Sequence, residues 1–215
     1  LVLVVNSGSS SLKYELIEPR SARRLAVGII DRIGEGDSTR SHEVTGSNDE
    51  APDPGSGRGS AIANHREAVE AMLDAFRTHG PSLDDLAAVG HRVVSAGEVY
   101  RSAVLIDDQV CRTIERCAPL APLHNPANLL GIEVTRRQFE DVPQVAVFDT
   151  AFFADLPPVA ATYAIDRDLA DRHNLRRHGA HGTSHRFVTE RVRDLLGPEG
   201  SRRMIVLHLG NGASA

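Results

Sequence analysis

The sequence predicts an α/β fold with a mixed sheet, and two observations predict it. Strand-like apolar runs alternate with helix-like segments after an opening meander of strands. At each end of the chain, a short apolar run also breaks into a glycine-rich polar turn. The first is Leu1-Val2-Leu3-Val4-Val5 leading into Asn6-Ser7-Gly8-Ser9-Ser10-Ser11, and the second is Met204-Ile205-Val206-Leu207 leading into His208-Leu209-Gly210-Asn211-Gly212-Ala213. Laying Asn6 on His208 puts Gly8 on Gly210. A buried strand that ends in small residues presents free N–H groups, which is how backbones hold phosphate. Its recurrence predicts a duplicated phosphate-binding fold, the first copy nearly complete and the second only begun where the chain stops.

The elements follow in order. Leu1–Val5 and Leu12–Ile17 flank the serine turn as a hairpin with a polar tip, and Leu25–Ile30 is a third strand. Residues 34–60, rich in Gly, Ser, Asp and Pro, read as a long loop, most clearly at Pro52-Asp53-Pro54-Gly55-Ser56-Gly57. Ile62, Val69, Met72, Leu73 and Phe76 recur at helical spacing up to Gly80-Pro81. Leu86–Val89 is a short strand running into Gly90-His91-Arg92. Asp107 or Asp108 caps a helix to about Cys117, and Pro119, Pro122 and Pro126 then predict an extended segment. Asn125-Pro126 reads as N-cap and first turn of a helix to about Phe139. Val145–Phe148 is a buried strand ending at Asp149. Thr183 or Ser184 caps a helix to Leu196, closed by Gly197-Pro198, and Met204–Leu209 is the last strand.

Composition narrows the function classes. The 215 residues, 41% of them hydrophobic, suffice for a sizeable core. A net charge of −5 argues against a general binder of nucleic acid or anionic membrane. No apolar run approaches the ~20 residues of a membrane span. Cys111 and Cys117, the only cysteines, stand six apart on a helix and so on different faces, which predicts free thiols in a reducing cytoplasm.

Five segments carry candidate chemistry. Asn6 to Lys13 offers amides, the hydroxyls of Ser7, Ser9, Ser10 and Ser11, and the chain's one lysine; it reads as an anion cradle or as a solvated hairpin tip. Arg92, behind Gly90-His91, can aim its planar fork at a carboxylate or phosphoryl group, or form a surface ion pair. The three prolines from Pro119 to Pro126 make a stiff apolar wall beside His124, either a pocket wall or a connector. Asp149, at the carboxyl end of a buried strand, suits metal or base work, or capping. His178, His181 and His185 invite a zinc reading, but no nearby cysteine or carboxylate completes a tetrahedral set. A histidine between Gly179 and Gly182 can instead approach a ligand and donate to developing negative charge.

Taken together, these segments resemble the acetokinase family of the actin, Hsp70 and sugar-kinase superfamily, whose fold is a duplicated ribonuclease-H-like domain. The resemblance runs from Leu3 to Ala215. It rests on six motifs in the family's order: Asn6-Ser7-Gly8-Ser9-Ser10-Ser11-Leu12-Lys13, Gly90-His91-Arg92-Val93-Val94, Pro122-Leu123-His124-Asn125-Pro126, Phe148-Asp149-Thr150-Ala151-Phe152, His181-Gly182-Thr183-Ser184-His185 and His208-Leu209-Gly210-Asn211-Gly212. It implies reversible phosphoryl transfer between ATP and acetate, giving acetyl phosphate and ADP, with Mg²⁺ (or Mn²⁺), in a cytoplasmic homodimer. Propionate and butyrate kinases of the same family are the neighbouring reading. A fragment that binds an anion between Asn6 and Arg92 without turnover is another.

The resemblance also implies roles. Asn6 lies near the transferred phosphoryl group and Mg²⁺. Arg92 grips the carboxylate and phosphoryl oxygens. Asp149 acts through Mg²⁺-bound water or by orienting the site, and His181 donates to the transition state. Val94 and Leu123 wall the acid pocket. Ser11, Lys13, His208, Gly210, Asn211 and Gly212 face the phosphates. Residues 1–152 then form the acid-side domain and 153–215 the opening of the nucleotide domain. The family's second arginine, adenosine segment and Mg²⁺-binding glutamate all fall beyond Ala215, so residues 1–215 alone are expected to be inactive. The chain departs from the family's usual His-Gly-Gly-Glu at Ser95-Ala96-Gly97-Glu98. It also carries Ala180 where some relatives have phenylalanine.

Overall fold

The computed structural model describes residues 1–45, 61–210 and 212–215. Its centre is a seven-stranded mixed sheet of order β4-β3-β2-β1-β5-β7-β6. Strands β1 (Val2–Ser7), β2 (Ser11–Glu18), β3 (Arg23–Asp31) and β4 (Thr39–Val44) form an antiparallel meander. Strands β5 (Ala88–Val93) and β7 (Gln144–Phe148) then add to β1 in parallel, and β6 (Val104–Leu105) closes the far edge antiparallel. The expected α/β class, opening meander and mixed sheet are all present.

Alternation along the strands decides what the sheet buries. Leu3, Val5, Leu12, Tyr14, Leu16, Ala26, Ile30 and Val89 point to one face, under helix α1 (His65–His79) and helix α3 (Asn125–Gln138). Ring packing is close there: a Cβ on Gly28 would sit 2.1 Å from the Tyr14 ring. A second cluster, with Val93, Ile114, Ile132, Ala146 and Phe148 at its centre, lies against α2 (Asp108–Arg116). The same alternation turns Asn6, Lys13 and Arg92 to the opposite face. Asn6 pairs with Lys13, and Val5 pairs with His91 one residue earlier.

His91 is the polar member of the covered face. It is buried, and its Nε2 lies 2.8 Å from Gln144 Oε1, which also accepts from Thr135 Oγ1 at 2.9 Å. Burial pushes its pKa down to about 4, only partly offset by the Gln144 bond.

Five local expectations are corrected. Residues 39–44, read as loop, are β4. Their Thr-Arg-Ser-His-Glu-Val pattern is polar because an edge strand needs little apolar surface. The Pro52–Gly57 part of that reading lies outside the described residues. The Pro119 region is a 3₁₀ turn over Ala118–Leu120, not an extended segment. Asn125 is the first residue of α3 rather than its cap, because its side chain is spent on distant backbone groups. After the short helices α4 (Asp149–Phe152), α5 (Pro158–Ala161) and α6 (Arg167–His173), helix α7 (Gly182–Gly200) starts behind His181, ahead of the expected Thr183 or Ser184 cap. Its expected close at Gly197-Pro198 is present as a break: Gly197, with φ 70° and ψ 176°, is not helical, and a further short turn runs on to Gly200. Of Met204–Leu209, only His208–Leu209 (β8) is strand, paired with Ala213–Ser214 (β9). Among the described residues no strand lies beside Met204–Leu207, and Ile205 is 87% exposed.

Candidate active site

The carboxyl ends of the parallel strands β1, β5 and β7 lie side by side, and each delivers one polar side chain. Asn6 comes from β1, Arg92 from β5, and Asp149 opens α4 (Asp149–Phe152) directly after β7. The carboxyl ends of parallel strands are where α/β sheets bind ligands.

Arg92 is the hub. Its Nε and Nη2 donate to Asp149 Oδ2 at 3.1 and 2.6 Å, and its Nη1 donates to Asn6 Oδ1 at 3.2 Å. The Asp149 side chain is 1% exposed and that of Arg92 25%. A carboxylate so buried needs its bonds satisfied. The other oxygen, Oδ1, accepts from Thr183 N at 3.2 Å and Thr183 Oγ1 at 2.7 Å. Four donors therefore occupy the roughly four lone-pair sites of the carboxylate. Asp149 thus ties the guanidinium of β5 to the first turn of α7. Only glycine fits beside it: a Cβ on Gly182 would stand 1.9 Å from the Asp149 carbonyl oxygen.

His181 sits just before that turn in the left-handed region, φ 55° and ψ 32°. Its Nδ1 is 2.9 Å from Ser214 Oγ, and its ring stacks on His208 with centroids 4.1 Å apart. His208 Nδ1 is 2.9 Å from Ser184 Oγ. Burial first, then the neighbouring His208, holds the His181 pKa below the ordinary histidine range; Asp149 pulls the other way. The second glycine turn therefore reaches the first site through histidine rings. Gly212 leaves room for this, since a Cβ there would come within 3.1 Å of His181 Cε1 and Nε2.

The loop after β5 is braced by residues the sequence reading did not assign to the site. Asn128 Oδ1 accepts from Val94 N, and its Nδ2 donates to Ser7 O. Asn125 accepts from Ser95 N and donates to Ser95 O and Ile114 O. Both asparagines belong to the Pro122–Asn128 stretch, whose polar spacing was the available signal. The serine turn is held from α1, where His65 Nε2 lies 2.6 Å from Gly8 O, while Gly8 N donates to Ser11 O at 2.7 Å.

The structure thus joins Asn6, Arg92, Asp149 and Thr183 into one bonded chain, with His181 and His208 stacked at the N-terminus of α7. Lys13 stands exposed opposite Asn6, outside that chain of bonds. Val94 is half-buried, whereas Leu123 is 71% exposed in the turn before α3. Gly210 is exposed, and Asn211 lies outside the described residues. Of the three clustered histidines, His181 and His185 meet at Ser214, while His178 is near Arg176 and Glu98. Cys111 and Cys117 are free. Among the described residues no helix is long and apolar enough to cross a membrane.

Comparison with known proteins gives the chain's relatives. Acetate kinase of Clavibacter michiganensis is 52% identical over 218 residues, covering all of this chain and 53% of that protein. Acetate kinase of Streptomyces coelicolor is 50% identical over 217 residues, covering all of this chain and 52% of that protein. The chain spans about half the length of the curated relatives it matches. Among solved structures, Porphyromonas gingivalis acetate kinase superposes with a TM-score of 0.83 at 37% identity, over 99% of this chain and 53% of that one. A propionate kinase from Francisella tularensis gives 0.80 at 34% identity over the same shares. The family model for the acetokinase family matches residues 1–215, and the chain belongs to that family.

Proposed function

We propose that the full-length protein transfers the γ-phosphoryl group of ATP to acetate, reversibly and in line, giving acetyl phosphate and ADP. The observation that carries this reading is the buried Arg92–Asp149 pair, shared with Asn6 and Thr183 at the strand ends, in a chain 52% identical to an acetate kinase. A carboxylate acceptor is already a nucleophile, so the site needs no strong base. The work is to bring two anions together, align them, and spread charge over fixed donors.

Arg92 supplies the cationic fork, and Asp149 holds that fork rigid at no further reorganisation cost. His181, kept neutral, offers a hydrogen-bond donor to the phosphoryl oxygens. The half-buried Val94, with Leu123 in the turn before α3, would limit the acid's alkyl group. Ser11 and Lys13 from the first turn, and His208, Gly210, Asn211 and Gly212 from the second, would face the phosphates. We divide the chain accordingly into an acid-side unit, residues 1–152, and the opening of a nucleotide unit, residues 153–215.

Mg²⁺ or Mn²⁺ would arrive on the nucleotide and neutralise its phosphates. The four donors at Asp149 leave that carboxylate no free lone pair for a metal or for its bound water, so its orienting role is the better supported one. Asn6 Oδ1 retains one lone pair. Unbridged cysteines support a reducing cytoplasm. A homodimer is carried by family resemblance alone.

A propionate or butyrate kinase is the second reading, supported by the likeness to the Francisella propionate kinase. A coupled ADP-release assay of the full-length protein across acetate, propionate and butyrate separates the two. The proposal expects the highest kcat/KM for acetate. A higher value for butyrate rejects it, and no transfer to any of the three rejects both. Residues 1–215 alone are expected to bind acetyl phosphate in calorimetry without turnover.

A further inference from the structure

A hydroxyl has one proton and two lone pairs, so between two imidazoles it can donate to one ring and accept from the other, or accept from both with its own proton turned elsewhere. Ser214 Oγ lies 2.9 Å from His181 Nδ1 and 2.8 Å from His185 Nε2, and among the described residues it has no third partner to take that proton, so one ring takes it. Two directions are possible. In one, Ser214 donates to His181 Nδ1 and accepts the Nε2–H of His185. In the other, His181 gives its Nδ1–H to Ser214, which donates on to His185.

The choice matters because a neutral imidazole carries its proton on a single nitrogen. In the first direction His181 presents Nε2–H. In the second it presents a bare lone pair, which repels developing negative charge. Among the described residues Nε2 has no hydrogen-bond partner, and it lies beside Gly212, where a Cβ would come within 3.1 Å of it. The lowered pKa of His181 is in keeping with a ring that stays neutral and so has one tautomer to choose. The second ring is well held. His185 is buried edge-on against Phe153, with ring centroids 5.8 Å apart, and its backbone N–H donates to His181 O at 3.0 Å.

We infer that Ser214, with its hydroxyl turned by His185, is a positioning residue that fixes His181 in the Nε2–H tautomer. This rests on the reading of His181 as a donor to the transferred phosphoryl group. The relay joins α7 to β9, so the donor would be set only when the strand pair of the second glycine turn is docked against the helix.

Long-range ¹H–¹⁵N correlation spectra of the full-length, histidine-labelled protein read the tautomer directly. Wild type should show His181 protonated at Nε2. Ser214→Ala should give a mixture with Nδ1–H, and kcat should fall about tenfold at unchanged KM for acetate, the size of one lost hydrogen bond. Ser214→Thr, which keeps the hydroxyl, should retain the wild-type tautomer and kcat. Nδ1–H in wild type overturns the inference. So does an Ala variant with the wild-type tautomer and kcat, or Ala and Thr variants that behave alike. His181→Ala separates the two claims: an unchanged kcat there removes the donor role itself, whatever the tautomer.

Discussion

At the residue scale, the site is a case of one buried charge satisfied by several partners. Asp149 is stable in its place because Arg92 and Thr183 supply four donors, and removing either partner leaves a buried carboxylate short of bonds. Gly182 shows the steric side of the same contact. Gly182→Ala should cost about 1–3 kcal/mol of stability, because its Cβ must displace backbone at Asp149. Urea unfolding measures this, and an unchanged midpoint would contradict the close approach.

His91 gives a pH prediction. Its folded pKa, about 4, lies below the ordinary 6.5, so the unfolded chain binds the proton more readily between those values. Stability should therefore fall as pH drops from about 6.5 towards 4, by up to about 3 kcal/mol from this group. His91→Gln should flatten that part of a Tm-against-pH curve; an unaltered slope would contradict it. Asn6 and Asp149 were legible in the sequence because each stands where an apolar strand run breaks, and Arg92 and His181 because glycines stand beside them, Gly90 before Arg92 and Gly179 and Gly182 around His181. Thr183 as a carboxylate donor and Ser214 as a bridge were not, since each meets its partner about 30 positions away.

At the element scale, α3 does more than cover the sheet. Its first turn holds the loop that follows Arg92, through Asn125 to Ser95 and Asn128 to Val94 and Ser7. Asn125→Ala deletes three buried bonds at once and should destabilise by about 2–4 kcal/mol. Thermal unfolding checks this, and a loss below about 0.5 kcal/mol would place the bracing elsewhere. The sequence offered Asn125-Pro126 as a helix start, and the helix does start there. Local rules favour asparagine as a cap, but here tertiary contacts claimed the side chain. Strand β4 was missed for a related reason: an edge strand with one neighbour lacks the apolar alternation that marks β1, β2 and β3.

At the scale of the whole molecule, one sheet organises the chemistry. Strand alternation sends apolar side chains to the helices and sends Asn6 and Arg92 to the open face. The parallel pairing of β1, β5 and β7 then brings residues from three distant segments to one edge. The second glycine turn approaches this edge from α7 through the stacked His181 and His208. The duplication visible in the sequence is therefore not symmetric in the described residues. The first turn caps a full sheet, whereas the second caps only the short pair β8 and β9.

The central claim is that Arg92, held by Asp149, acts on the reacting groups in the transition state. Steady-state kinetics of Arg92→Ala in the full-length protein test it most directly. The account predicts a fall in kcat of about 10²–10³-fold with a much smaller change in KM for acetate, not restored by Arg92→Lys. A large rise in KM with unchanged kcat would contradict it.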